Sequence, residues 1–307
     1  MKICIYSYWK NRWVYYLKNY FTPKGYDVQY SSVVDTKLLE WADINYIAWA
    51  NEMAVQITHL PTKHGKYIVC VRGYEVFGDF MKQIKWDVVD DVIFTNDWFI
   101  GFAKQVGMKM SDEHIHWLVN GVETELWKKQ EHTAGNKIAI VANINHKKEF
   151  PLAMQVMAKL PEQYTMHIVG FNQDWRYWLY MGYIATEMKL GNRVVYEGFM
   201  KTPQDLMNWL TDKNYILSCS PTEGSPNNLL ESMSLGIKPV IHNWCGAKHQ
   251  FPTNLIFNTI DEAVDMITGP DYDSSYYHQY IVDNYDISKV YPKLEKIITK
   301  KEVSNGK

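Results

Sequence analysis

Residues Tyr215–His242 read YILSCSPTEGSPNNLLESMSLGIKPVIH. The pattern is strand, loop, helix, strand. Tyr215–Cys219 is a short apolar run of strand type, and Ser220–Gly224 is a loop. Ser225 suits an N-cap and Pro226 the first helical position. Leu229, Leu230, Met233 and Leu235 give the Asn227–Leu235 helix an inward face. Gly236 closes that helix, and Pro239-Val240-Ile241 opens the next buried strand. Glu223 and Glu231 lie inside this unit with seven residues between them. Glu223 falls on a loop off a strand end, where open α/β sheets bind ligands, and Glu231 falls in the second turn of the helix. A helix start offers unpaired N–H groups and partial positive charge to a phosphate. Gly224 lets a ligand approach the backbone, and two carboxylates can accept hydrogen bonds from a polyol and a ribose. The same spacing describes a capped helix with two solvated glutamates, and spacing alone leaves both readings open.

The 307 residues suggest two domains of ordinary size. With 47% apolar and 21% charged residues and a formal net charge of −2, the composition is globular and lacks the basic excess of a nucleic-acid binder. Cys4, Cys70, Cys219 and Cys245 lie far apart and form no C-x-x-C pair. They read as reduced thiols of a cytoplasmic protein. The N-terminus has no signal-peptide pattern, and no run of about 18 apolar residues is present to span a membrane.

Lys2–Ser7 reads as a first buried strand, Tyr8–Asn11 as the loop at its end and Arg12–Phe21 as a helix. Residues Lys10–Lys24 carry Lys10, Arg12, Lys18 and Lys24, no acid, and Trp13, Tyr15, Tyr16, Tyr20 and Phe21. Such a helix either packs one face on a sheet or lies on an anionic surface, as a peripheral contact at the inner membrane face. The Trp- and Tyr-rich Trp175–Met188 helix reads mostly as packing, and Phe251–Phe257 as a strand. Asp271-Tyr272-Asp273 has the D-x-D spacing of a metal motif, but it follows Gly269-Pro270 and reads as a turn, leaving no metal site. Ser288–Lys300 is an amphipathic last helix and Glu302–Lys307 a frayed tail.

The ordered string Glu223-Gly224-Ser225-Pro226, Glu231, Met233, Gly236, Pro239-Val240-Ile241 resembles the signature of glycosyltransferase family 4 (glycosyl transferases group 1), retaining enzymes of GT-B fold. Weaker matches run along most of the chain: Asn120-Gly121-Val122, Lys148 ahead of the apolar helix from Phe150, and the strand ends at Gly170 and Gly198. The resemblance implies an α/β chain of two Rossmann-like β/α/β domains facing across a cleft, with the C-terminal helix crossing back to the first. Residues 1–125 would be the acceptor domain, 126–284 the donor domain and 285–307 the helix and tail. The implied reaction moves a sugar from a nucleotide-diphospho sugar (UDP-, GDP- or similar) to a glycan, lipid-linked or other hydroxyl acceptor. It would proceed with retention and without metal or cofactor.

The same resemblance assigns residues. Lys148 would stabilise the departing diphosphate, Glu223 would hold the sugar hydroxyls and Glu231 the ribose. Ser225, Pro226, Asn227 and Asn228 would form the helix start, while Asn143, Gly170 and Met200 complete the donor side, Met200 beside the base. Tyr8, Trp9, Asn11, Arg12, Arg72, Tyr74 and Glu75 would face the acceptor. Two positions depart from the family pattern: Asn143 stands where Arg is usual and Arg72 where His is common. Arg72 either serves an acceptor, an anionic one included, or pairs with Glu75 or Asp79. These departures motivate an alternative, a catalytically weakened GT-B protein that binds nucleotide sugar or glycan without transfer. Nucleotide-sugar epimerisation is a third reading.

Overall fold

The computed structural model describes residues 1–9 and 12–300, and of Arg12 the backbone. Lys10, Asn11 and the 301–307 tail lie outside the described residues. The chain forms two compact units, Met1–Asn120 together with the chain from Ser288 onward, and Gly121–Ile287.

The first unit is built on six strands: β1 Lys2–Tyr6, β2 Asp27–Ser31, β3 Ile44–Ile47, β4 Lys66–Val71, β5 Asp91–Phe94 and β6 Ile115–Trp117. They pair in parallel in the order β2-β1-β3-β4-β5-β6. Segments such as INYI and KYIVCV are apolar along nearly their whole length because helices cover both faces of a parallel sheet. From β1 the chain steps outward to β2 and then returns to the other side for β3. The connections therefore part between β1 and β3, which leaves a crevice at the strands' carboxyl ends. The Arg12–Phe21 helix buries Val14, Leu17 and Phe21 and turns Tyr15 and Lys18 to solvent.

The last helix, Ile287–Thr299, belongs to this unit from Ser288 onward and buries Val290, Tyr291, Leu294 and Ile298. Its Glu295 accepts hydrogen bonds from the Tyr20 and Tyr26 hydroxyls, each at 3.0 Å, and from Lys24 Nζ at 2.5 Å. Lys66 Nζ donates to the Ile297 carbonyl at 2.9 Å.

The second unit repeats the plan with β7 Lys137–Val141, β8 Thr165–Val169, β9 Val194–Tyr196, β10 Tyr215–Ser218, β11 Lys238–His242 and β12 Ile256–Phe257. The order is β12-β11-β10-β7-β8-β9, so the parting of connections falls between β7 and β10. The two segments that link the units are joined to each other here. Val122 N–H donates to the Tyr285 carbonyl at 2.8 Å, and Ile287 N–H to the Val122 carbonyl at 3.0 Å.

Two expectations are corrected in this unit. Of Phe251–Phe257, only Ile256–Phe257 is strand; Pro252 cannot donate to a ladder, and Thr253–Leu255 form a single turn instead. The Trp175–Glu187 helix buries only Met181 and Ile184. Trp175 and Leu179 are each 70% exposed, and Tyr180 and Tyr183 also point outward. A helix on a sheet has one face to bury, and no further layer of this unit covers the other. The D-x-D segment is a turn and a cap: Asp273 accepts from Tyr276 N–H at 2.9 Å, and the Asp271 carbonyl accepts from Lys238 Nζ. Among the described residues, no helix is long and apolar enough to cross a membrane.

Candidate active site

In the second unit Lys148, Glu223 and Asn228 meet where β7 and β10 part, while Gly170 follows β8 and Met200 follows β9. After β7, Asn145 Oδ1 accepts from Lys147 N–H at 3.0 Å and shapes a turn over His146–Lys148. Glu149 adopts a left-handed backbone, φ 46°, and the Phe150–Lys159 helix follows. This turn directs Lys148 at the loop after β10, where its Nζ donates to Glu223 Oε1 at 2.5 Å. The pair is only partly open to water, with side-chain exposures of 27% for Lys148 and 14% for Glu223. A cation at a helix start opposes the helix dipole, and Glu223 offsets that misfit.

The loop carrying Glu223 is held from below by buried Gln250, whose Nε2 donates to the Gly224 carbonyl at 2.7 Å. Sequence reading missed Gln250; an isolated glutamine carries no signal of its partner. The helix starts one residue later than its caps suggest, at Asn227. Pro226 is the boundary residue with extended ψ of 99°, and its carbonyl accepts from Leu229 and Leu230 N–H. Ser225 therefore precedes the cap. Asn228 Nδ2 donates to the Val141 carbonyl at 3.0 Å, which ties the first helical turn to the end of β7. Glu231 is buried one turn further on. The helix closes at Gly236, φ 95°, where a Cβ would lie 2.2 Å from Ser274 Oγ.

Gly170 ends β8 with φ 157°, and a Cβ there would lie 1.9 Å from the Ala142 carbonyl oxygen. Glycine thus lets the ends of β7 and β8 approach. Asn143 Oδ1 accepts from Phe171 N–H at 3.2 Å, so its side chain braces this junction. Met200 lies half-buried on the loop after β9.

In the first unit, Arg72 forms an ion pair with neither Glu75 nor Asp79. Its Nε donates to the Ala48 carbonyl at 3.0 Å and its Nη1 to Asn120 Oδ1 at 2.9 Å. The guanidinium lies 4.5 Å from the centroid of the Trp13 ring and 5.2 Å from that of Trp49. Asp79 instead faces Lys82 at 3.7 Å. The Glu75 carboxylate is fully buried and accepts from the backbone N–H groups of Arg72 and Gly73, at 3.2 and 2.8 Å. Burial raises its pKa.

The Tyr74 hydroxyl accepts from Asn51 Nδ2 at 3.3 Å, and burial pushes its pKa up to about 12. Tyr8, Trp9, Trp49 and Tyr74 form a continuous chain of rings, with successive centroids 6.1, 5.9 and 5.6 Å apart. Asn11 and the Arg12 side chain lie outside the described residues. In sequence Trp13 is one ring of the basic aromatic segment and Trp49 is not singled out, because nothing in their spacing points to Arg72. Lys24, one of four cations in the basic aromatic segment, is engaged with Glu295.

Residues 122–255 match the family model described as glycosyl transferases group 1. That stretch lies within the second unit and makes up less than half of the chain. Lys148, Glu223 and Glu231 all fall inside the matched stretch. Solved structures resemble the chain over nearly its whole length. A HepE protein of Anabaena, in complex with UDP and glucose, aligns with TM-score 0.79 at 13% identity, covering 98% of this chain and 100% of its own. Sucrose-phosphate synthase from Thermosynechococcus elongatus aligns with TM-score 0.76 at 12% identity, covering 97% and 98%. The lipopolysaccharide outer core galactosyltransferase WaaB, in its apo form, aligns with TM-score 0.71 at 16% identity, covering 97% and 99%. At these identities the likeness shows the fold, and the fold is GT-B. A comparison with curated protein sequences gives no match. The family-model match and the fold together support glycosyl transfer.

Proposed function

We propose that the protein transfers a sugar from a nucleotide-diphospho sugar to a hydroxyl acceptor, with retention of anomeric configuration and without a metal. The observation that carries this reading is the Lys148–Glu223 pair at the parting of β7 and β10, beside the helix that bears buried Glu231. Breaking the bond between the anomeric carbon and the diphosphate leaves negative charge on the leaving oxygen. Lys148 stabilises that charge, and the N–H groups of the Asn227–Ser234 helix start support it. Glu231 accepts from the ribose hydroxyls and Glu223 from the sugar. Gly170 and Asn143 hold the strand ends that border the donor, and Met200 borders the base. The HepE structure contains UDP and glucose, so uridine is the first base to try.

Incubating the protein with UDP-, GDP- and ADP-hexoses and following release of the nucleoside diphosphate tests the reading. Lys148→Ala serves as the inactive control, and NMR of the product reports the anomeric configuration. A donor that binds tightly and is never consumed, with any acceptor, overturns it. That outcome favours the second reading, a protein that binds nucleotide sugar without transfer. Its motivating observation is that Asn143 braces the backbone of a neighbouring loop.

A further inference from the structure

The Trp175–Glu187 helix packs inward through Met181 and Ile184, with Tyr177, Trp178, Ala185 and Met188 half-buried against the same core. Its outward face carries two rows. Trp175, Leu179, Gly182 and Thr186 form one, and Arg176, Tyr180, Tyr183 and Glu187 the other; all eight are exposed. Within each row the steps are of four, three and four residues. That alternation keeps side chains on one line of a helix and is the spacing by which helices pack on one another. A helix facing water ordinarily fills such a line with charged and polar groups. Here Trp175 and Leu179 are each 70% exposed, Tyr183 61% and Tyr180 49%. At about 150–250 Å² for a large side chain, these four show roughly 500 Å² of mostly apolar surface. With the flanking Arg176, Thr186 and Glu187 the face approaches about 600 Å², the lower bound for one side of a specific protein–protein interface.

The second row reads the same from either end. Arg176 and Glu187 stand at equal distances from the Met181–Gly182 step, and so do Tyr180 and Tyr183. Neither Arg176 nor Glu187 forms an ion pair among the described residues. A two-fold axis at that step places Arg176 of each copy against Glu187 of the other, and Tyr180 against Tyr183. The face is therefore complementary to itself run antiparallel, an arrangement that also opposes the two helix dipoles. A lipid surface matches it less well. An anionic bilayer gains from cations, and the cation of this row is balanced by an acid at its other end. Lys189, exposed just beyond the helix, lies outside the row.

We propose that the protein forms a two-fold homodimer through this face, the Trp175–Glu187 helices of two copies packing antiparallel. Leu179, Tyr180 and Tyr183 fill the seam, and two Arg176–Glu187 pairs close its ends. An interface at the small end of the specific range gives a weak, concentration-dependent dimer, with a Kd of about 1–100 μM. The dimer is independent of the proposed transfer.

Sedimentation velocity on the full chain, at protein concentrations spanning that range, is the test. Wild type should pass from monomer to dimer as concentration rises. Arg176→Glu and Glu187→Arg each bring like charges together twice per dimer and should weaken it about tenfold. The double variant restores both pairs with their signs exchanged and should return to within about threefold of wild type. Tyr183→Glu puts a charge in the middle of the seam and should leave a monomer. All three positions are exposed, so thermal melts of dilute samples should match wild type. A wild type that stays monomeric throughout, or a double variant no better than either single one, overturns the proposal. Flotation with vesicles of phosphatidylcholine and phosphatidylglycerol reads the lipid alternative. Vesicle binding that Glu187→Arg tightens, by a protein that stays monomeric in solution, assigns the face to a membrane and overturns the dimer.

Discussion

Replacing Glu223 by Gln should make a nucleoside diphosphate bind more tightly while abolishing transfer. Lys148 has two competing partners in the proposed site. Without ligand it donates to Glu223 Oε1 at 2.5 Å. With donor bound it turns to the diphosphate. The side-chain exposures of 27% and 14% place the pair between a surface ion pair, worth below about 1 kcal/mol, and a buried one, worth about 3–5 kcal/mol to break. We take about 1–2 kcal/mol as the contribution that must be given up when the diphosphate arrives. Glu223→Gln removes most of it, so affinity for UDP should rise roughly 5- to 30-fold. Lys148→Ala should lower the same affinity, and the double variant should resemble Lys148→Ala. Calorimetric titration with UDP measures all four proteins, and a donor-consumption assay reads transfer alongside. If Glu223→Gln weakens UDP as much as Lys148→Ala does, the competition argument is wrong and the pair binds diphosphate as one unit.

Other outcomes follow from the same geometry. Glu231→Gln should weaken UDP roughly 10- to 100-fold, from loss of hydrogen bonds to a charged acceptor, and the difference should vanish with a 2′,3′-dideoxy analogue. Gly170→Ala should cost about 3 kcal/mol or more in urea denaturation, because its Cβ would meet the Ala142 carbonyl at 1.9 Å; a loss under about 1 kcal/mol would contradict the described strand ends. Arg72→Lys keeps the charge but loses the fork and the stacking, and should destabilise by about 2 kcal/mol. Lys24 beside Glu295 holds that carboxyl below its ordinary value. Its contribution is therefore complete above the unfolded glutamate value of about 4.3 and is lost as pH falls through the lower folded value. Glu295→Gln should flatten acid unfolding in that window, which a pH series of thermal melts would reveal.

The donor half of the site was legible because its chemistry is local. Glu223, the helix start and Glu231 lie within nine consecutive residues, and their order alone carries the resemblance. The cap was misplaced by one residue because Ser225 and Pro226 each suit the position assigned to them. Only the Pro226 carbonyl, taking the first helical bonds, decides between them. The first unit was far less readable. Trp9, Trp49, Arg72 and Asn120 come from separate strand ends spread over more than a hundred residues, so no spacing announces that they meet. Arg72 illustrates the physical reason: a cation next to Glu75 in sequence suggests an ion pair, yet Glu75 bonds the backbone and the guanidinium reaches elsewhere. The outward rings of the Trp175–Glu187 helix were misread because apolar content says nothing about how many faces a neighbour covers.

The return of the chain to its first unit sets an order of events during synthesis. Tyr20, Lys24, Tyr26 and Lys66 are made between 231 and 275 residues ahead of their partners Glu295 and Ile297. The second unit, continuous from Gly121 to Ile287, can close while the first still lacks a helix. The nascent first unit must therefore wait with its docking face uncovered. A chain stopped before residue 288 would keep that face open for good, a ready target for chaperones and proteases.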